Sequence, residues 1–254
     1  MPPGDSLFLL NLYVALASPL VGSAAAAASA RLAQGGAWDF SPSTCPACGR
    51  RLGIGELVPV VSWLVQRGRC RGCAAPVSPA YPLIELAAVG IAAWAWLATP
   101  AHMFVATCVF GWLLLALSAI DARTFRLPDV LTASLLLCGL LTAQLFYPAR
   151  MLEQVAGAAL GFGGLLLVEV AYRAIRRRDG LGRGDSKLLG AIGMWIGPAG
   201  LPLALLVAAA SAIVFVLTIG WIRKRPLAAD TAIPFGPFLA AGGWVVWVNG
   251  SVPF

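Results

Sequence analysis

The sequence has 254 residues, of which 59% are hydrophobic and 11% charged; soluble globular domains run at roughly 45–50% and about 25%. With a mean hydropathy of +0.84, this balance excludes an ordinary soluble enzyme, a disordered chain and a disulfide-stapled secreted domain. The net charge of +7 does not point to nucleic acid, because the basic residues fall between apolar runs and not along one polar face.

Apolar runs occupy residues 7–28, 81–98, 102–120, 128–147, 155–172, 186–196, 201–221 and 233–248. A bilayer crossing takes about 20 such residues, so the fold class expected is an all-α polytopic membrane protein with about eight transmembrane helices. The sixth run is short and interrupted by Gly190, Gly193 and Gly197, which suits a tilted or partly re-entrant segment, or one arm of a longer hairpin with the seventh. Placing the N-terminus outside puts the Lys/Arg clusters around 31–71, 123–126, 173–187 and 223–225 on the cytoplasmic side and leaves only Arg150 outside. The first run lacks a basic n-region, and its cleavage would export the Arg-rich segment after it, so it reads as an uncleaved anchor. The chain divides into a first transmembrane helix over residues 1–29, a cytoplasmic loop over 30–80 and a membrane core over 81–254.

The loop between the first two spans carries Cys45-Pro46-Ala47-Cys48 and Cys70-Arg71-Gly72-Cys73. Each CxxC puts two thiolates on one tight turn, and two turns about twenty residues apart complete the tetrahedral Cys₄ set of a structural zinc. Gly49 and Gly72 suit such turns. Disulfides are the competing reading, but a cytoplasmic loop is reducing. Cys108 and Cys138 sit in apolar runs and read as packing residues.

Four of the eleven acids lie in or at the edge of apolar runs: Glu85, Asp121, Glu169 and Asp185. Ionisable groups at membrane depth are costly and mark function by default. Glu85 and Glu169 can instead snorkel or pair with the inner arginines, and Asp129, after Pro128, reads as an acid favouring a helix N-terminus. Asp121 closes the third span, and Asp185 opens the sixth within Gly182-Arg183-Gly184-Asp185-Ser186-Lys187. Two carboxylates brought together share one proton, one acting as base on water and the other donating to a carbonyl oxygen, which is aspartic-protease chemistry. Two unrelated helix-end acids are the competing reading of these residues alone; for a dyad, helix dipoles suggest Asp185, at an N-terminus, as the base and Asp121, at a C-terminus, as the acid. Gly180, Gly182 and Gly184 are no phosphate loop, since no strand precedes them; small residues there let a peptide approach the backbone.

Taken together, these residues resemble the prepilin peptidases, the type IV leader peptidases of the GxGD class of membrane aspartic proteases. The resemblance spans nearly the whole chain. It rests on Gly182 to Lys187 as GxGDxK, on Asp121 with Leu127-Pro128-Asp129, and on the loop from Glu56-Leu57-Val58-Pro59 to Arg69-Cys70. Tyr81-Pro82-Leu83-Ile84-Glu85-Leu86 and Pro234-Phe235-Gly236-Pro237-Phe238 also look like family segments. The resemblance implies a bacterial inner-membrane enzyme with Asp121 and Asp185 catalytic and its active site facing the cytoplasm. Its substrates would be prepilins or pseudopilins, and its other partner the membrane lipid. Gly182, Gly184, Lys187 and Glu85 would support the substrate or the active site. The intact zinc ligands Cys45, Cys48, Cys70 and Cys73 go with the bifunctional form, which also methylates the new N-terminus with S-adenosylmethionine. Where the family usually has a Gly-Ser-Phe-Leu-Asn-like stretch, this chain has Gly22-Ser23 followed by alanines.

A proton-coupled transporter using the four acids and a non-catalytic zinc-ribbon scaffold are the competing readings; no inverted halves are visible to support the first. The single histidine, His102, reads as interfacial, and its solitude disfavours zincin and serine-protease chemistry. Trp94, Trp96, Trp195, Trp221, Trp244 and Trp247 read as interfacial anchors. Gly157 and Gly161 read as a GxxxG packing face.

Overall fold

A computed structural model describes residues 3–35, 43–176, 182–224 and 232–250. Gly180 and the basic residues at 177, 178 and 225 lie outside them. The described residues are helical apart from the loop after the first helix and short connections, and the chain separates into two compact units at residue 124. Among the described residues six helices are long and apolar enough to cross a membrane, and the protein is a multi-pass membrane protein.

The first unit contains α1 (Pro3–Ala33), the short α2 (Val61–Val65), α3 (Ala80–Ala98) and α4 (Phe104–Thr124). The 31-residue α1 runs on past residue 29 to Ala33. Its core is α4, where Leu114, Leu117, Ile120 and Asp121 are buried at helical spacing, below Phe104, Cys108 and Phe110. Trp112 donates its Nε1–H to the Ala88 carbonyl at 3.1 Å, tying α4 to α3. Helices α1 and α3 approach closely at Gly22, where an added Cβ would lie 2.7 Å from the Glu85 Cα. Small residues there allow the close approach that holds helices together where lipid offers no hydrophobic drive.

The second unit contains α5 (Asp129–Phe146), α6 (Met151–Arg176), α7 (Arg183–Arg223) and α8 (Gly236–Val248). The sixth and seventh apolar runs form the single 41-residue α7, which is broken at Gly197 (φ 68°, ψ 177°). That backbone region is essentially glycine-only, and Pro198 follows it. Every residue from Leu188 to Gly197 is buried, so the short sixth run is the core of this unit, packed by α5, α6 and α8. A segment covered by protein on all sides is freed from the length that lipid imposes on an exposed span.

On α6 the buried positions are Gln154, Gly157, Gly161, Leu165 and Glu169, a helical stripe facing α7. An added Cβ at Gly161 would stand 2.6 Å from the Leu189 carbonyl oxygen, and one at Gly157 would stand 2.8 Å from the Gly197 Cα. The GxxxG face therefore packs helix on helix within the chain, as its spacing indicates.

Two of the six tryptophans expected at the interface are core residues instead. Trp195 and Trp247 are buried and meet edge to face at 5.3 Å between ring centres. The Trp195 Nε1–H donates to the Leu135 carbonyl at 2.8 Å, and its indole lies against Gly139. Proximity to a span end misleads for these two, because the ends of α7's first half and of α8 are enclosed by protein; a buried indole needs only one acceptor. Trp94, Trp96 and Trp221 are exposed. Cys108 is buried and Cys138 half-buried, both as free thiols.

Candidate metal centre and acidic sites

The two CxxC segments fold into matching knuckles. In the first, the Cys45 N–H donates to the Arg50 carbonyl and the Gly49 N–H to the Cys45 carbonyl, both at 2.9 Å. In the second, Cys70 donates to Ala75 and Ala74 to Cys70 at the same distance. The fifth residue of each turn is left-handed: Gly49 with φ 69°, and Ala74 with φ 57°. Gly49 thus serves the turn by its backbone freedom. Gly72 serves it by space, since an added Cβ would stand 2.9 Å from the Arg50 Nε.

These knuckles bring the Sγ atoms of Cys45, Cys48, Cys70 and Cys73 within 4.8 Å of one another, a set that could hold a metal ion. All four thiols are free, so the disulfide reading is not realised. The Cys45 and Cys73 sulfurs are 3.8 Å apart; a tetrahedron with zinc–sulfur bonds of ~2.3 Å has edges of about 3.8 Å. Backbone N–H groups of Cys73 and Gly72 directed at the Cys70 sulfur hold its thiol down at about 6. At Cys73 the Ala75 N–H favours the thiolate, but desolvation and protons shared with Cys48, Cys70 and Cys45 outweigh it and push the thiol up to about 11. Arg50 closes over the cluster, donating to Glu56 Oε1 at 2.6 Å, while the Gly53 N–H donates to Glu56 Oε2 at 2.9 Å. Arg50 first, and then the Gly53 N–H, lower the Glu56 carboxyl below its ordinary value.

Beside this loop lies a cavity of about 590 Å³, bounded by Ser23 and Ala27 of α1, Trp63 of α2 and Tyr81 and Glu85 of α3. Arg31, Arg69 and Arg123 also line it. Glu85 is buried and accepts the Val60 N–H at 2.7 Å. Val60 has φ 60°, an outlier for a β-branched residue, so this hydrogen bond holds a strained turn in place. Arg123 sits over the Tyr81 ring, 5.9 Å from its centre. The arginines, the aromatic pair and the cavity were not legible as a site in the sequence, because they come from separate elements; Glu85 alone stood out, as a buried acid.

Asp121 is buried in the last turn of α4, in the first unit. Asp185 is half-buried in the first turn of α7, in the second. Gly182 is the N-cap of α7 in extended conformation, and its carbonyl accepts the Asp185 N–H at 3.0 Å. At Gly184 an added Cβ would meet the Leu127 side chain at 3.3 Å, so the chain there passes close to the Leu127-Pro128 turn. Lys187 donates from Nζ to Asp129 Oδ1 at 2.6 Å. Asp129 does stand in the first turn of α5, but makes no side-chain cap; its carboxylate is spent on Lys187. Glu169, 2% exposed, accepts from Arg173 at 2.8 Å and lies 3.8 Å from the Arg183 Nε. That is the arginine pairing open to it from its position.

Residues 16–99 match the Bacterial Peptidase A24 N-terminal domain, and residues 108–217 the Type IV leader peptidase family. The chain is 39% identical over 210 residues to a prepilin leader peptidase/N-methyltransferase from Aeromonas hydrophila, covering 82% of this chain and 72% of that protein. It is 43% identical over 203 residues to a protein of the same name from Burkholderia pseudomallei (strain K96243), covering 79% and 65%. With one from Dichelobacter nodosus the figures are 38% over 211 residues, 82% and 71%. No solved structure matches the chain.

Proposed function

We propose that this chain, which belongs to the type IV leader peptidase family, is a membrane aspartic endopeptidase that removes the leader from type IV prepilins or pseudopilins and N-methylates the new N-terminus. The observation that carries the reading is the presence of aspartates at the ends of two membrane helices, Asp121 closing α4 and Asp185 opening α7, in a chain with one histidine. In this mechanism the Asp185 carboxylate, favoured by its helix N-terminus, takes a proton from water as that water attacks the scissile carbonyl. Asp121 donates its proton to the carbonyl oxygen, and the pair returns to its starting state when the amine leaves protonated. Gly182 leaves space beside the Asp185 carboxylate where a peptide must approach, and Gly184 lets the chain pass close to Leu127.

The four cysteines are assigned to zinc, on their free thiols and on sulfur spacing that fits a tetrahedral ion. A closed Cys₄ set leaves no open coordination position, so this zinc holds the loop folded and takes no part in the reaction. The cavity beside it is assigned to S-adenosylmethionine, which supplies an electrophilic methyl group when bound. The residues present fit that molecule: a buried carboxylate, Glu85, for a cationic part, guanidinium groups for a carboxylate, and Trp63 and Tyr81 for a flat ring. Its volume is within the range of small-molecule sites. The Lys/Arg distribution supports an inner-membrane orientation with the loop and both aspartates at the cytoplasmic side.

The test is a mixture of the purified chain, a prepilin and labelled S-adenosylmethionine, followed by mass spectrometry. The parent is expected to release the leader and label the new N-terminus. Asp121→Asn and Asp185→Asn should each cut cleavage by about 1,000-fold or more. Cleavage at the parental rate by either variant sinks the aspartate pair.

A further inference from the structure

Asp185 stands in the first turn of α7. Gly182 and Gly184 precede it, and neither offers a side chain to pack. The first turn of α7 carries Arg183 two residues before Asp185 and Lys187 two residues after it. At ~100° per residue both positions lie about 160–200° round the helix from Asp185, and being four apart they stand one above the other. The two cations therefore share the face opposite the aspartate.

Each is engaged by a carboxylate from a different neighbouring helix. Lys187 donates to Asp129 at the start of α5 at 2.6 Å. Arg183 lies 3.8 Å from Glu169 of α6, a carboxylate 2% exposed that is itself held by Arg173 at 2.8 Å. Surface ion pairs contribute little to stability, and the Lys187–Asp129 pair is half to three-quarters exposed, so stability alone does not account for it. Two attachments on one helix face, to two different helices, do fix something else: the rotation of α7 about its axis, and with it the direction of Asp185.

We infer that Asp129 and Glu169 are positioning residues, a two-point clamp that holds the start of α7 through Lys187 and Arg183 so that Asp185 faces the reaction. The inference rests on the catalytic role proposed for Asp185.

The experiment is a charge-swap cycle on the purified full chain, with Asp129→Lys, Lys187→Asp and the double variant assayed for leader release. Each single is expected to lower kcat by about 10–100-fold with KM within about 3-fold of the parent, the loss a misdirected group causes. The double variant, which restores the pair in reverse, should recover kcat to within about 3-fold of the parent. Glu169→Gln, which keeps shape and removes charge, should also lower kcat, and Glu169→Asp should recover part of it. A double variant no better than the worse single, singles as active as the parent, or losses that simply follow lowered melting temperatures would each overturn the clamp. Asp185→Asn in the same series separates the two ideas: its full activity would remove the catalytic reading, whereas an inactive Asp185→Asn beside fully active clamp variants would remove only the clamp.

Discussion

Cys70 and Cys73 meet different environments although the two knuckles share one pattern of turn hydrogen bonds. Cys45 and Cys70 are buried, and Cys48 and Cys73 exposed. Cys70, held at about 6 by the N–H groups of Cys73 and Gly72, is already a thiolate at neutral pH, whereas Cys73, up at about 11, keeps its proton until a cation displaces it. Zinc uptake at pH 7 should accordingly release protons, that of Cys73 among them. One zinc per chain is expected in the parent by elemental analysis, and Cys48→Ser should reduce it to a small fraction. Unchanged zinc content in that variant would show that the ion, if present, sits elsewhere. The motif spacing made these four residues legible as a set. The inequality of Cys70 and Cys73 was not legible, because it comes from the backbone N–H groups directed at Cys70 and from the desolvation and shared protons at Cys73.

Helix α7 shows how an element can hide from a hydropathy reading. As an apolar run its first half is too short to cross, and its second half is long enough. Only the packing explains the difference: the first half is enclosed by α5, α6 and α8, and the second exposes Leu203, Leu206, Ile213, Val214, Leu217 and Ile222. The enclosure depends on small residues, since Gly157 and Gly161 of α6 meet Gly193, Gly197 and Leu189 of α7 at backbone contact. Gly157→Leu should separate these helices and cost about 1–3 kcal/mol or more by overpacking. Gly197→Ala should cost about 1–3 kcal/mol for a different reason, the backbone conformation at φ 68°, ψ 177°. Thermal unfolding in detergent checks both, with Gly163→Ala as a comparison, since an added Cβ there meets nothing within 4 Å and should be tolerated.

For the molecule as a whole, the charge distribution leads to a topology that reporter fusions can test. A periplasm-dependent reporter fused after Pro100, between α3 and α4, should be active, and one fused after Arg126, between α4 and α5, inactive. The reverse pattern would invert the orientation and move the Cys₄ loop to the other side of the membrane.

What the sequence determined by itself is whatever depends on local or one-dimensional order. Apolar runs in lipid specify helices because lipid leaves backbone groups no other partner, and each of the eight expected runs falls largely within a helix, the sixth and seventh within one. Two CxxC turns specify a metal-ready cluster because each turn is a short-range structure. The rarity of acids made Asp121, Asp185, Glu85 and Glu169 conspicuous before any contact was known. The tertiary structure decided what depends on neighbours distant in sequence. It turned Trp195 and Trp247 from boundary residues into a core pair, joined the sixth and seventh runs across Gly197, and set Ser23, Trp63, Tyr81 and Glu85 around one cavity. It also drew Asp129 to Lys187 and Glu169 to Arg183. In a membrane every helix is apolar enough to face lipid, so hydropathy marks where helices are, and close packing of small residues and buried charges decides which faces meet.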